Sequence, residues 1–391
     1  MVTATTPRVA APPLRPTRAE IDLDAIRHNV RLLRARAAPA ELMVVVKADG
    51  YGHGAIEVAR AALDVGAPWL AVALVEEGED LRAAGLTAPI LVLTEPRPTA
   101  VPRLVAADLT PTLYSTEFAE TLRLEASARG RPLPVHLKVD TGMARVGVAR
   151  HEWAAFLQRL RAWPELEVVA AWTHLANADE PGHPSVAEQV LAFDSFLQLA
   201  RTHGVDPQLT HLANSSAALV APEVGGHLVR AGIAVYGLPA GPATASAADL
   251  RPAMRLVSQV AFVKHIEPGT PVSYGHTWTA PAAGWLATIP IGYADGLPRA
   301  LSNRASVLIH GRPCPIVGTV TMDQTLVWCG EDRVAPGDEV VLLGDQRGAS
   351  VSALDWAEAM GTITYEIVTR ISPRVPRRYV GAAGVPEPGP Y

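Results

Sequence analysis

A lysine closes the apolar run Met43-Val44-Val45-Val46-Lys47, and the segment Ala48-Asp49-Gly50-Tyr51-Gly52-His53-Gly54 follows at once. An amine at the end of a buried strand is desolvated, which lowers its pKa and makes it nucleophilic near neutral pH. The glycines beside it let backbone approach a bound group closely. The same residues also suit a lysine snorkelling from a strand end beside an ordinary turn. A second stretch, His136-Leu137-Lys138-Val139-Asp140-Thr141-Gly142-Met143-Ala144-Arg145, leads through a glycine turn to a guanidinium that can grip a carboxylate with two hydrogen bonds. A plain surface arginine fits there equally well.

Other candidates follow along the chain. His174 ends the run Val168-Val169-Ala170-Ala171-Trp172-Thr173-His174, where a satisfied core histidine is the commoner outcome. His211-Leu212-Ala213-Asn214-Ser215-Ser216 runs from a strand into a small polar loop before a helix at 217–220; its amides can meet an anion, or its side chains can simply cap. Arg230-Ala231-Gly232-Ile233 closes a further strand. Late in the chain, Tyr274 and Tyr293 each stand in a glycine-containing loop. A tyrosine titrates near 10 unless cations surround it, so packing at a domain contact is the simpler role for either. Val320-Thr321-Met322-Asp323-Gln324 reads as a polar turn between strands. No GxGxxG follows a first strand, and GxxxxGK[ST], HExxH and GxSxG are absent, which weakens nicotinamide, P-loop, zincin and hydrolase readings.

The elements that must hold these residues divide the chain. Strand-like runs at 43–47, 69–73, 90–93, 109–113, 135–139, 168–172, 208–212 and 228–230 alternate with helical periods. One helix carries Ile26, Val30 and Leu33 on a stripe behind Asp24 as cap; another starts at Ser185 and carries Val186, Val190, Phe193 and Leu197. Eight such units in about 220 residues predict a (β/α)8 TIM-type barrel, although a doubly wound sheet shares the pattern. Lys47, Arg145, His174, Ser215 and Arg230 then all fall at carboxyl ends of strands, the face where barrel active sites form. After a small-residue linker at 241–249 the helical signal fades. Runs at 258–266, 285–291, 306–309, 325–329 and 339–343, with turns at 267–269, 310–313 and 335–338, predict a mainly antiparallel β domain with one helix at 353–360. The expected organisation is a flexible tail at 1–17, a barrel at 18–246 and a β domain at 247–391.

Composition narrows the class. A net charge of −5 gives no reason to expect nucleic acid or an anionic membrane as partner, and no apolar run suffices to span a bilayer. Only Cys314 and Cys329 are present, without metal-ligand spacing, which argues against disulfides or a metal and fits a reducing cytoplasm. The Ala-, Pro- and Thr-rich start lacks the apolar core of a secretory signal.

From Val46 through Gly54 the sequence closely resembles alanine racemases of the pyridoxal-phosphate barrel class. The likeness continues through Lys138–Arg145, the HLANSS stretch at 211–216, residues 230–238, 272–275, 289–296 and 322–324, and ends at Tyr365-Glu366. The resemblance implies a cytoplasmic homodimer with shared active sites that interconverts L- and D-alanine on pyridoxal 5'-phosphate and supplies D-alanine for peptidoglycan. It implies that Lys47 carries the coenzyme and is one base, with Tyr274 of the other subunit as the opposite base. It assigns Arg230 to the pyridine nitrogen with His174 in support. Tyr51, Ser215, Tyr365 and the Gly232 and Ile233 amides go to the phosphate, with Asn214 beside it. Arg145 and the Met322 amide would bind the substrate carboxylate, Lys138 matches a position often carbamylated, Tyr293 would line the entrance, and Asp323 lies in the shared Met-Asp-Gln motif. Thr321 stands where many relatives carry cysteine, and Ala144 where a glycine is common.

Rivals remain at this level. A serine or broad-range racemase of the same class shares every motif. A barrel decarboxylase of basic amino acids expects a carboxylate at the pyridine nitrogen, where Arg230 stands, and a late essential cysteine, where Thr321 stands. A non-catalytic coenzyme-binding barrel needs neither the β domain nor Tyr274.

Overall fold

The structure, a computed structural model, describes residues 15–381. These form two compact units. The larger comprises Ile21–Met254 and Trp356–Arg370 with residues 379–381, and the smaller comprises residues 15–20, Arg255–Asp355 and Ile371–Arg378.

Eight parallel strands build the larger unit: β1 (Glu41–Val45), β2 (Trp69–Val72), β3 (Ile90–Val92), β4 (Thr110–Leu113), β5 (Leu133–Lys138), β6 (Leu166–Trp172), β7 (Leu209–His211) and β8 (Leu228–Ala231). Sequence neighbours pair from β1 through β7, and β1 also pairs with β8 in the register Met43↔Arg230. Between β7 and β8 the ring is joined by the His227 amide on the Thr210 carbonyl (2.7 Å) and the Arg230 amide on the Ala213 carbonyl (3.1 Å). This is the expected (β/α)8 barrel, with strand ends shifted by no more than three residues. Strands covered on both faces must be apolar on both, and Leu42, Met43, Val44 and Val45 are all buried.

Local chemistry moved some boundaries. Asp22, not Asp24, caps the first helix, Leu23–Ala37, its carboxylate accepting the Asp24 and Ala25 amides. His183, not Ser185, caps Pro184–Thr202, because proline at the first helical position starts the helix earlier. Lys47 does not end a strand but opens a tight turn.

The smaller unit is mainly antiparallel. Strands Met254–Gln259, Ser306–Ile309, Arg312–Pro315 and Glu339–Gln346 share a sheet with Arg18–Asp22 and Arg377–Val380, and Phe262–Ile266, Gly284–Ile289 and Thr325–Gly330 form a second. The run expected as one strand at 258–266 is therefore two, the chain changing sheets at Val260-Ala261. The turn expected at 310–313 shrinks to His310 and Gly311, both at positive φ (54° and 79°), the conformation that closes a two-residue hairpin. A helix at Thr364–Thr369, not foreseen, groups with the barrel and carries Tyr365. Of the tail expected at 1–17, residues 1–14 lie outside the described residues. Arg15 and Thr17 are anchored: Arg15 grips both Asp295 carboxylate oxygens at 2.6 Å, and the buried Thr17 hydroxyl meets Ser258 Oγ at 2.8 Å.

Candidate active site

The turn after β1 is held in an unusual conformation. Ala48, Asp49, Gly50 and Tyr51 all sit at φ between 52° and 59°, a left-handed turn. Each non-glycine residue there costs about 1–2 kcal/mol relative to right-handed backbone. Glu77 offsets part of that cost, its carboxylate accepting the Ala48 amide at 2.6 Å and the Ala73 and Leu74 amides at 2.8 and 3.1 Å. One carboxylate thus joins the loops after β1 and β2. Glu77→Ala should raise amide exchange at Ala48, Ala73 and Leu74 by at least about tenfold, from loss of charge-assisted hydrogen bonds of about 1.5–3 kcal/mol, while exchange in β4 and β5 stays slow. Unchanged exchange at all three amides would remove Glu77 from this role.

The turn aims Lys47 into the barrel mouth and lays Tyr51 inward. The Tyr51 ring packs 4.8 Å from Tyr236 and 6.0 Å from Tyr365. Backbone approach is close where the sequence placed glycine: a Cβ on Gly52 would lie 2.4 Å from the Val368 carbonyl, and one on Gly232 would lie 2.4 Å from the Tyr51 hydroxyl. Across the mouth, Ser215 Oγ accepts the Gly232 amide at 2.8 Å and the Ala234 amide at 3.4 Å. Asn214 caps the following helix through the Ala217 amide (3.0 Å), the plain structural role considered for it above. Ile233 is buried and opens the turn Ile233–Tyr236.

Arg230 is the most heavily bound side chain of the group. Its Nη1 donates to His211 Nδ1 (2.9 Å) and the His211 carbonyl (2.8 Å). Its Nη2 donates to the Thr173 and Leu212 carbonyls (2.8 and 3.0 Å) and meets His174 Nδ1 at 3.1 Å. Its guanidinium carbon lies 4.6 Å from the Trp172 ring centroid, and Lys138 Nζ lies 4.1 Å from the same ring. Burial lowers Arg230 to about 9, so it remains charged at neutral pH.

Lys47, Lys138, Arg145 and Arg230 concentrate positive charge in the mouth. Burial and then Arg145 lower Lys47, with Glu77 pulling the other way. Burial, followed by Arg230, Arg145 and Lys47, brings Lys138 to about 7. Burial and the same cations hold His174 well below its usual value, so it stays neutral and can accept from Arg230.

Arg145 is exposed at the end of a loop folded around Asp140, whose Oδ1 accepts the Gly142, Met143 and Ala144 amides at 2.9–3.1 Å. Gln189 ties this loop to the next, donating to Thr141 Oγ1 (3.2 Å) and the His174 carbonyl (2.9 Å). Ala144 has φ 56°, a left-handed backbone that glycine adopts without strain. Ala144→Gly should stabilise the protein by about 1 kcal/mol, read as a higher thermal unfolding midpoint; a lower midpoint would show that the loop carries no such strain.

Tyr274, Tyr293, Met322 and Asp323 belong to the smaller unit and line one open cleft there. The Tyr293 and Ala294 amides donate to the Thr321 and Met322 carbonyls, both at 3.0 Å, locking the two loops together. Thr321 Oγ1 donates to the Gln324 carbonyl (2.7 Å), so Thr321 staples its own turn. Asp323 pairs with Arg374 at 2.7 Å. Tyr274 is 75% exposed, and its hydroxyl has no partner among the described residues. The structure therefore gathers Lys47, Tyr51, Lys138, Arg145, His174, Asn214, Ser215, Arg230, Gly232, Ile233 and Tyr365 on the barrel unit and the other four on the β unit. Sequence reasoning gave no role to Glu77, Gln189, His136 or His211. His136 and His211 each opened a stretch singled out in the sequence, without a role of their own.

A barrel with a desolvated lysine, a buried arginine and a cationic mouth, joined to a β unit carrying two exposed tyrosines, defines a class of two-domain barrel enzyme. Family models for the alanine racemase N-terminal domain and C-terminal domain match residues 21–240 and 253–379. An alanine racemase of Symbiobacterium thermophilum is 47% identical over 369 residues, spanning 94% of this chain and 98% of the relative. The crystal structure of alanine racemase from D-cycloserine-producing Streptomyces lavendulae superposes with a TM-score of 0.91 at 44% identity, covering 95% of this chain and 98% of that one. Alanine racemase from Streptomyces coelicolor gives 0.88 at 44% identity, covering 94% and 99%. The chain belongs to the alanine racemase family and is an isomerase.

Proposed function

We propose that the chain interconverts L- and D-alanine with pyridoxal 5'-phosphate held on Lys47, as a homodimer in the cytoplasm, and that its D-alanine goes to peptidoglycan. The observation that carries the reading is Arg230. Five acceptors occupy its two terminal nitrogens, and Nε alone is left without an acceptor among the described residues. A guanidinium fixed in this way presents one donor to a ring nitrogen and keeps its own protons.

The residues fit the coenzyme on two further grounds. The mouth concentrates cations that suit a phosphate and a carboxylate, and a side chain on Gly232 would fill the space against Tyr51. When bound, the coenzyme supplies an electron sink that acidifies the substrate α-carbon. Ser215, the Tyr51 and Tyr365 hydroxyls and the Gly232–Ile233 turn would hold its phosphate, with Asn214 shaping the loop. Lys47, its amine desolvated, moves the proton on one face of the α-carbon. Tyr274 moves it on the other, because one amine cannot serve both faces within hydrogen-bond reach. Arg145 and the Met322 amide orient the carboxylate, Tyr293 borders the approach, and Asp323 fixes Arg374 beside it. Lys138, brought to about 7, offers a free amine that can add carbon dioxide with release of a proton. The resulting carbamate would orient Arg145.

The test is direct. Full-length protein loaded with pyridoxal phosphate should abolish the optical rotation of both L- and D-alanine and exchange the α-hydrogen in deuterated water. Borohydride should fix the coenzyme on Lys47. An unmodified Lys47 together with unchanged rotation would overturn the reading.

A further inference from the structure

We propose that His136 is a positioning residue for the reaction centre: by accepting from His211 Nε2 it reinforces the His211 tautomer that Arg230 requires and so steadies the aim of Arg230. The role assigned to Arg230 is the one proposed above, but the relay itself stands on geometry alone. His136 lies on β5, wholly buried inside the barrel, with Nδ1 at 3.1 Å from His211 Nε2. His211 Nδ1 in turn lies 2.9 Å from Arg230 Nη1.

Proton counting gives the chain a single direction. A guanidinium only donates, so His211 Nδ1 must accept. A neutral imidazole has one proton, so it sits on His211 Nε2, which must donate to His136 Nδ1. That leaves the His136 proton on Nε2. Neither ring takes a second proton, since burial, reinforced by Arg230, brings His136 to about 3 and His211 well below its usual value. Reversing either histidine would set an N–H against another N–H, at His211 or at Arg230. The rings have little room to turn aside: Trp172 stacks on His211 with centroids 5.2 Å apart and planes 14° apart, and Trp69 lies 5.5 Å from His136.

The relay ends at a cost to stability. His136 Nε2 is buried without a hydrogen-bond partner among the described residues, and so is the hydroxyl of Thr112, its register partner on β4. A leucine would fill this part of the core without stranding a donor. What histidine adds is an acceptor at Nδ1, which among the described residues His211 alone uses.

The experiment compares the full chain with His136→Asn, whose Oδ1 replaces the Nδ1 acceptor, His136→Gln, whose amide reaches the wrong position, and His136→Leu. Nitrogen-15 spectra of histidine-labelled protein, before and after adding pyridoxal phosphate, report each tautomer directly. Wild type should show His136 and His211 both neutral and protonated at Nε2. In the Leu and Gln variants, His211 should populate the Nδ1–H form, and the ratio of alanine racemisation to keto-acid formation should fall by about tenfold, the equivalent of one lost hydrogen bond. The Asn variant should keep the wild-type tautomer and ratio. Wild-type His211 protonated at Nδ1, or Gln and Leu variants with unaltered tautomer and ratio, would overturn the relay. If the Leu variant does not fold, the wild-type spectra and the Asn–Gln contrast still decide. A wild type without racemisation would sink the functional reading alone, because the spectra judge the relay independently.

Discussion

Mixing inactive Lys47→Ala subunits with inactive Tyr274→Phe subunits is expected to restore about a quarter of the wild-type rate. Each homodimer alone lacks one proton-moving group at both sites and should fall by about 10³-fold or more. After random exchange, about half the dimers pair one subunit of each kind. If Lys47 of one subunit works with Tyr274 of the other, one site of that dimer has both groups and its second site has neither, giving about one intact site in four. If both groups came from the same subunit, every site would lack one of them and no activity would return. The support for sharing is the exposed Tyr274 hydroxyl, which the described residues leave without a partner on the β unit. The check is the steady-state rate, with exchange confirmed by native mass spectrometry. Exchanged heterodimers without recovered activity would exclude a shared site.

What could be read from the sequence followed from local rules. Buried parallel strands need continuous apolar runs, so β1, β3 and β5 stood out, and the residues after them fell on the chemical face of the barrel. Where two side chains compete to start a helix, the winner depends on the path of the chain before it. Asp22 therefore prevailed over Asp24, and His183 with Pro184 over Ser185. The two-residue hairpin at His310-Gly311 was hidden because Arg312 and Pro313 look like turn residues, while their strand is defined by pairing with Ser306–Ile309.

The supporting residues were less legible for a physical reason. Glu77 acts on Ala48, and Gln189 acts on Thr141 and His174, across separations in sequence that no local pattern records. His136 sits in a strand where any apolar residue would satisfy the alternation, and its meaning lies in a contact with His211 from β7. By contrast, Ala144 was visible as a departure from a familiar glycine, and its left-handed backbone is one that glycine adopts without strain.

Arg230→Glu should lower racemisation by at least about 100-fold and produce measurable keto acid from alanine. The loss follows from four terminal N–H donors, shared among five acceptors, disappearing at once, each worth about 1 kcal/mol or more when the donor is charged. The gain of side reaction follows from the proton. A guanidinium does not release one, whereas a carboxyl buried among the Thr173, His211 and Leu212 carbonyls is driven towards its neutral form and can donate to a ring nitrogen. With its ring nitrogen protonated by the introduced carboxyl, the coenzyme would be a stronger electron sink, which favours the side reaction over racemisation. Arg230→Lys separates the two effects. It keeps a charge that cannot span both histidines, and should therefore lose rate without raising keto acid. Product analysis with a coupled keto-acid reductase distinguishes them, and equal keto-acid yields from Glu and Lys variants would mean that Arg230 positions the coenzyme without controlling where the proton returns.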